Sequence, residues 1–145
     1  MHIIVIIDDD QGMMFNGRRL SKDVMLRKDM MQLVGNARLF MNAYSYGQFG
    51  NEYPLNGGEI SVNDPVVCVW EEFLKEARAD DFCLVENVSF MPYADKIQNI
   101  IVYKWNRRYP SDMKFSFPPG DWKLEETTDF SGKSHEKITR ELWVR

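Results

Sequence analysis

A continuous run of β-branched residues near the start of the chain, Ile3-Ile4-Val5-Ile6-Ile7, most constrains the fold. A strand with one face in water shows alternating polarity, whereas an unbroken apolar run is typical of a strand covered on both faces. Three aspartates, Asp8 to Asp10, end the run, and we expect them to form a solvated turn. The run predicts the central strand of an α/β sheet.

Periodicity along the rest of the chain predicts alternating helices and strands, followed by antiparallel strands. Apolar residues three and four apart predict a helix over 21–34, with Ser21 as its N-cap and Gly35-Asn36 as its stop. A second helix is predicted over 70–78, and 90–95 reads as the end of a short one. The triplet Asn56-Gly57-Gly58 predicts a turn. Strands are predicted at 37–41, 65–69, 82–85, 97–103, 114–117, 122–124 and 137–144.

Composition limits the class of protein. The 145 residues are 44% hydrophobic with a net charge of −4, which suits one folded domain over 1–145 and gives no overall cationic field to attract nucleic acid or anionic lipid. Cys68 and Cys83 lie in apolar strand-like contexts and are predicted to be buried free thiols. No secretion signal or membrane-spanning run is predicted, so we expect a cytoplasmic protein without a membrane partner.

Several segments, in their order and spacing, resemble the dihydrofolate reductase family. They are Ile3 to Gly17, Leu39-Phe40-Met41, Phe90-Met91-Pro92-Tyr93-Ala94-Asp95, Asp112-Met113-Lys114-Phe115 and Asp121-Trp122. The resemblance implies one domain with a central, mixed but mostly parallel sheet flanked by helices and an antiparallel C-terminal hairpin. It also implies NADPH as cofactor and reduction of dihydrofolate or a related pterin, with a folate-like small molecule as partner.

The acid that such a reductase needs depends on how the chain is aligned with the family. Read without gaps, the catalytic acid falls at Leu26, which cannot handle a proton. A gapped alignment of Leu20-Ser21-Lys22-Asp23-Val24 makes Asp23 the acid. The family's supporting threonine is replaced by Met113. The resemblance implies a substrate cleft lined by Ile6, Met13, Met14, Leu26, Met30 and Met113.

The positions that hold NADPH phosphates in the family are also changed. A Met-Gly-Arg-x-Thr segment corresponds to Met41-Asn42-Ala43-Tyr44-Ser45, and a Gly-Gly turn corresponds to Glu86-Asn87. A carboxylate repels phosphate, and the missing glycines prevent close approach of the backbone. Asn42, Ala43, Ser45, Glu86 and Asn87 are therefore degenerate cofactor positions. Two hypotheses remain: a weak or inactive NADPH-dependent reductase, and a catalytically silent module for ligand or protein binding, with no cofactor.

Other reactive side chains suggest no further chemistry. His2 and His135 are the two histidines and lack the spacing of a zinc site, so no metal is predicted. The serines Ser21, Ser45, Ser61 and Ser89 lack a nucleophile-elbow setting, which argues against acyl transfer. The segment 104–109 interleaves cations with aromatic residues and is predicted to be an exposed hairpin rather than a nucleic-acid site.

Overall fold

The computed structural model describes residues 1–49 and 66–145. The predicted turn at 56–58 and Ser61 lie outside these residues. The secondary structure comprises ten strands, three α-helices and one 3₁₀ helix within the described ranges. The strands are β1 (His2–Ile7), β2 (Gly12–Phe15), β3 (Arg18–Arg19), β4 (Arg38–Met41), β5 (Val66–Val69), β6 (Phe82–Leu84), β7 (Asn99–Lys104), β8 (Met113–Lys114), β9 (Lys123–Phe130) and β10 (Ile138–Val144).

The larger sheet has the strand order β5-β4-β6-β1-β7-β10-β9, with the β-branched run of β1 at its centre. The first five strands are parallel, and β10 and β9 continue the sheet antiparallel, as the sequence predicts. In register, Ile4 lies between Leu84 of β6 and Ile101 of β7. The fold is therefore an α/β fold with a mixed, mostly parallel sheet and an antiparallel C-terminal pair.

Both faces of β1 are covered, because its alternate residues belong to two different apolar clusters. Ile3, Val5 and Ile7 pack in one cluster, and Ile4 and Ile6 pack in the other. The unbroken apolar run is thus explained by burial on both sides of the sheet, since all five of its residues, Ile3 to Ile7, are buried.

Helix α1 (Val24–Val34) begins at a different residue from the one predicted. It is capped by Asp23, not by Ser21, because the Asp23 side chain accepts the N–H of Met25 at 2.9 Å. It ends at Gly35, as predicted. Helix α2 (Ala43–Tyr46) follows β4.

The predicted helix over 70–78 is reduced to one turn, α3 (Phe73–Glu76). The Lys96 ammonium group donates to the carbonyls of Leu74 and Lys75 at 3.1 and 3.2 Å, which satisfies the end of this turn. The short helix predicted near 90–95 is a 3₁₀ helix, Met91–Lys96.

Both cysteines are free thiols, as predicted. Cys83 is buried, but Cys68 is partly exposed, so the prediction that both are buried is wrong for Cys68.

Asp8 is not part of a solvated turn. It is buried, and its carboxylate accepts the backbone N–H groups of Asp10, Gly12 and Tyr109 at 2.9, 2.6 and 2.9 Å, whereas Asp9 is exposed. The prediction failed because the first aspartate after a buried strand satisfies loop N–H groups that would otherwise lose water. Asp8 ties the end of β1 to the loop after β7.

Candidate functional site

The candidate site lies where the carboxyl ends of the central parallel strands meet. Asp8, Asn42 and Trp105 directly follow β1, β4 and β7, and Glu86 lies two residues beyond β6. In open α/β sheets this edge is where ligands bind. The small sheet of β3, β2 and β8 contributes here too, because Arg19 of β3 reaches Glu86.

Arg19 is held in one position by three groups. Its guanidinium Nε and Nη2 donate to the two carboxylate oxygens of Glu86, at 3.0 and 3.3 Å. It lies 4.5 Å from the centre of the Tyr44 ring, and its backbone N–H donates to the Tyr44 hydroxyl at 2.7 Å. Glu86 is buried and also accepts from Gln48 at 3.1 Å. The pairing fixes β3 across the end of β6. It also compensates the charge of Arg19, one of the two arginines of β3.

The degenerate cofactor positions are brought together, but their polar groups bind each other. The Asn42 amide donates to Asn87 at 2.8 Å, and its oxygen accepts the N–H of Ser45 to cap α2. The Ala43 N–H donates to Glu71 at 3.3 Å. These residues fit NADPH poorly. The Asn42 side chain is already paired, the Ser45 hydroxyl is buried without a partner, and the buried Glu86 carboxylate would repel a phosphate.

Asp23 is buried and saturated with hydrogen bonds. Its Oδ1 accepts the N–H groups of Met25 and Lys133 at 2.9 and 3.0 Å. Its Oδ2 accepts from the N–H and hydroxyl of Ser134 at 2.9 and 3.1 Å, and Nδ1 of His135 lies 3.0 Å away. A carboxylate offers about four lone-pair sites, so five donors leave no site for a pterin. Asp23 instead clamps α1 to the loop between β9 and β10.

His135 connects this clamp to the site surface. Because a carboxylate can only accept, the Nδ1 facing Asp23 carries the hydrogen, and a neutral ring therefore presents Nε2 as an acceptor. Nε2 lies 3.1 Å from the Ser21 hydroxyl and 3.1 Å from the Tyr109 hydroxyl. The imidazole stacks on Trp105 at 4.3 Å between ring centres. Asp23, His135 and Ser21 thus form a continuous chain from the core to a partly exposed hydroxyl.

Trp105 and Tyr109 correct the prediction of an exposed hairpin at 104–109. Trp105 is buried against His135, and Tyr109 is half-buried, while the exposed Arg108 pairs with Asp10 at 3.1 Å. The aromatic residues of this segment are used to support the site. They do not form an open stacking surface.

The hydrogen bonds of Asp8 and Asp23 predict a loss of stability in acid. Burial alone would raise the pKa of both carboxyls, but the backbone donors outweigh it, with His135 also contributing at Asp23, and both pKa values lie below normal. A lowered folded-state pKa stabilises the fold above the unfolded value, about 3.9, and that contribution is lost as the pH falls below it.

We expect urea unfolding, followed by circular dichroism, to give a free energy of unfolding that falls steeply below about pH 4. The difference in free energy of unfolding between the wild type and Asp23→Asn should become smaller over the same pH range. Protonation of the Asp23 carboxylate removes the same charge that the substitution removes. A constant difference down to pH 2 would contradict this assignment.

The residues of the implied substrate cleft are divided between the two sides of the sheet. Met13, Met14 and Met113 pack in the cluster of Ile3 and Val5, and Met113 is the register partner of Met14. The others, Ile6, Leu26 and Met30, lie in the second cluster, each less than a tenth exposed. The structure thus packs three of the six residues in each of two apolar clusters.

Two cavities open at β3 beside the histidine. One of about 440 Å³ is lined by Phe15, Asn16, Arg18, Arg19, Leu20, Tyr109 and Pro110. One of about 500 Å³ is lined by Arg18, Arg19, Ser21, Lys22 and Tyr44. They share the two arginines, and no acidic residue is among either set of lining residues. The lining that they share is cationic, and each cavity also has a tyrosine in its lining, Tyr109 in the first and Tyr44 in the second.

Comparison with known proteins supports the fold. The structure is similar to that of a dihydrofolate reductase from Enterococcus faecalis complexed with NADP(H) and RAB-propyl, with a TM-score of 0.62 and 13% sequence identity. The likeness covers 99% of this chain and 95% of that one. No protein-family model matches the chain, and no curated protein matches it in sequence. At this identity the likeness shows the dihydrofolate reductase fold alone.

Sequence reasoning missed three residues of the site: His135, Ser21 as its partner, and Arg19. The available signal was weak, because His135 lies 112 residues from Asp23 in the chain.

Among residues 1–49 and 66–145, no group of three or more His, Cys, Asp and Glu side chains is arranged to hold a metal ion. Over the same residues, no helix has the length and apolar character needed to cross a membrane.

Proposed function

We propose that this protein is a ligand-binding protein of the dihydrofolate reductase fold that is silent as a folate reductase and binds a small anionic molecule at β3. The observation that carries the proposal is the pair of cavities sharing Arg18 and Arg19, with Lys22 in one of them. Glu86 compensates Arg19, which leaves the exposed Arg18 and Lys22 to attract the ligand. The rings of Tyr44 and Tyr109 flank the cavities and suit a ligand with a planar part.

The second candidate is NADPH-dependent reduction of dihydrofolate or a related pterin, with Asp23 as the acid. The likeness to a reductase complexed with NADP(H) favours it. Two observations weigh against it: Asp23 has its lone pairs occupied by protein donors, and the positions corresponding to the phosphate-binding segments carry paired asparagines and the buried Glu86. Cytoplasmic location and ligand binding without a cofactor are part of the first proposal.

A thermal-shift titration distinguishes the two candidates. A ligand at a hundred times its Kd raises the free energy of unfolding by about 2.7 kcal/mol. We expect millimolar pyrophosphate or citrate to raise the Tm of the wild type in a saturable way, and neither NADPH nor methotrexate to do so through the reductase site. Arg18→Ala should abolish most of the shift with the anions.

The control is Arg78→Ala, because Arg78 is another exposed arginine and lines a cavity that also contains Asp80 and Asp81. It should leave the anion-dependent shift unchanged. Since NADPH carries phosphates, its effect is tested in Arg18→Ala as well. A methotrexate shift, or an NADPH shift that survives Arg18→Ala together with NADPH oxidation dependent on dihydrofolate, would support the reductase. Equal anion shifts in both arginine variants would refute the proposed site.

A further inference from the structure

The chain of Ser21, His135 and Asp23 has the geometry of an activated serine. The hydroxyl lies 3.1 Å from Nε2, and Nδ1 lies 3.0 Å from the carboxylate, both within the range for a nucleophile and its base. His135 and Asp23 are buried, whereas Ser21 is partly exposed and lines the 500 Å³ cavity. The hydrogen-bonded chain therefore ends at a residue that lines a cavity, where a small molecule can reach it.

We propose that Ser21 is a nucleophile for hydrolysis of small esters that carry a negative charge, with His135 as its general base and Asp23 as the positioning residue. The inference uses the cavity of the proposed function as the substrate site. Two features locate the chemistry: the ring is fixed by Asp23 on one side and by stacking on Trp105 on the other, and Ser21 shares its cavity with Arg18, Arg19 and Lys22.

The reaction consumes only the ester and water, and Ser21 and His135 are regenerated. The Ser21 Oγ bonds to the ester carbonyl carbon while its proton passes to Nε2 of His135. The C–O bond to the leaving group then breaks, and the departing alkoxide takes that proton. Water, deprotonated by the same nitrogen, attacks the acyl-serine, and the acid leaves as Ser21 regains its proton. The cations of the cavity favour the negative charge that develops on the carbonyl oxygen.

Tyr109 competes for the same nitrogen, because its hydroxyl is also 3.1 Å from Nε2. A neutral imidazole has one lone pair there, so it accepts fully from one hydroxyl at a time. Tyr109 and Ser21 line different cavities that share the two arginines. A substrate that displaces the Tyr109 hydroxyl leaves Nε2 to Ser21.

The test uses an uncharged alkyl fluorophosphonate, which bonds to an activated serine with loss of fluoride. We expect labelling at Ser21 in the wild type, located by peptide mass spectrometry, and none in Ser21→Ala. Ser131→Ala, at an exposed serine in the loop before His135, is the matched control and should label as the wild type does. His135→Gln should slow labelling about a hundredfold. An unlabelled Ser21 in the folded wild type would overturn the proposal.

A second measurement does not depend on how well His135→Gln folds. In Ser21→Cys, the new thiol beside His135 should react with iodoacetamide at least about tenfold faster than the thiol of Ser131→Cys. Burial raises the pKa of the Cys83 thiol to about 12 and also raises that of the partly exposed Cys68, and both thiols are a common background in the two variants. The ratio of the two rates should shrink when Asp23→Asn is added to both variants, measured where circular dichroism shows both double variants to be folded. Equal rates in Ser21→Cys and Ser131→Cys would refute activation by His135.

Failure of the nucleophile and failure of anion binding give different results. The probe is neutral, so Arg18→Ala should slow labelling only through the lost stabilisation of the developing charge. Its hydrolysis of an anionic p-nitrophenyl ester, such as the hemisuccinate, should fall further than its hydrolysis of the neutral acetate. Labelling with no preference for the anionic ester would overturn the anionic substrate and the proposed ligand, and would leave Ser21 as a nucleophile.

Discussion

Replacing Asp23 by asparagine is expected to lower the free energy of unfolding by about 3 kcal/mol. This is the lower end of the range seen when one partner of a buried ion pair is removed. Asparagine keeps the shape and one carbonyl oxygen. In the wild type, Oδ2 of Asp23 accepts from the N–H and hydroxyl of Ser134 and from His135. The amide NH₂ group of the asparagine would therefore face hydrogen-bond donors. At least one buried N–H group loses its acceptor.

Urea denaturation followed by circular dichroism at neutral pH measures this loss. The matched control is Asp121→Asn, which neutralises an exposed aspartate and should change the free energy of unfolding by less than about 0.5 kcal/mol. Equal stability of the two variants would show that Asp23 is not a structural clamp and would reopen its role as an acid for a bound ligand.

The arrangement of Asp23 and Leu26 differs from both alternatives given by the sequence. The gapped alignment makes Asp23 the acid and so places it in a cleft, whereas the ungapped alignment puts Leu26 at the acid position, facing inward, with Asp23 on the surface. In the structure both are buried: Leu26 packs beside Met30, and Asp23 turns away to the loop at 133–135. An N-cap residue lies at the first turn of a helix with an extended backbone, so its carboxylate can serve a neighbouring loop as well as its own helix.

The sequence was sufficient for elements whose signal is local. The β-branched run of β1, the three-and-four spacing of α1 and the glycine after Val34 each reflect burial or backbone conformation at that position, so the sheet centre and the helix end were predictable. The helix start was ambiguous, because Ser21 and Asp23 are both good caps. Only the contact with the distant 133–135 loop decides between them.

The candidate site could not be predicted because its contacts are long-range. Ser21 and His135 are 114 residues apart, and Arg19 and Glu86 are 67 apart. Their pairing depends on the order of strands at the carboxyl edge of the sheet, which no local pattern records. The absence of the expected motifs identified a changed site, but the replacement chemistry required three-dimensional contacts.

Replacing Gly132 by alanine is the second substitution for which a large effect is expected. A Cβ there would lie 2.7 Å from Oδ2 of Asp23, 2.7 Å from the carbonyl oxygen of His135 and 3.0 Å from a methyl group of Ile138. The His135 carbonyl also accepts the Gly132 N–H at 2.9 Å, so neither group can withdraw without breaking the turn. We expect a loss of about 2 kcal/mol, as for other overpacked sites.

The same urea experiment tests this value, with Lys133→Ala as control, because the Lys133 side chain is exposed and its backbone N–H is retained. The informative variant is the double mutant Asp23→Asn with Gly132→Ala. Both single changes break one contact between α1 and the 132–135 loop, so the double mutant should lose less stability than the sum of the two. Strictly additive losses would mean that the glycine and the carboxylate act independently, and the loop would then not depend on Asp23 to hold His135 beside Ser21.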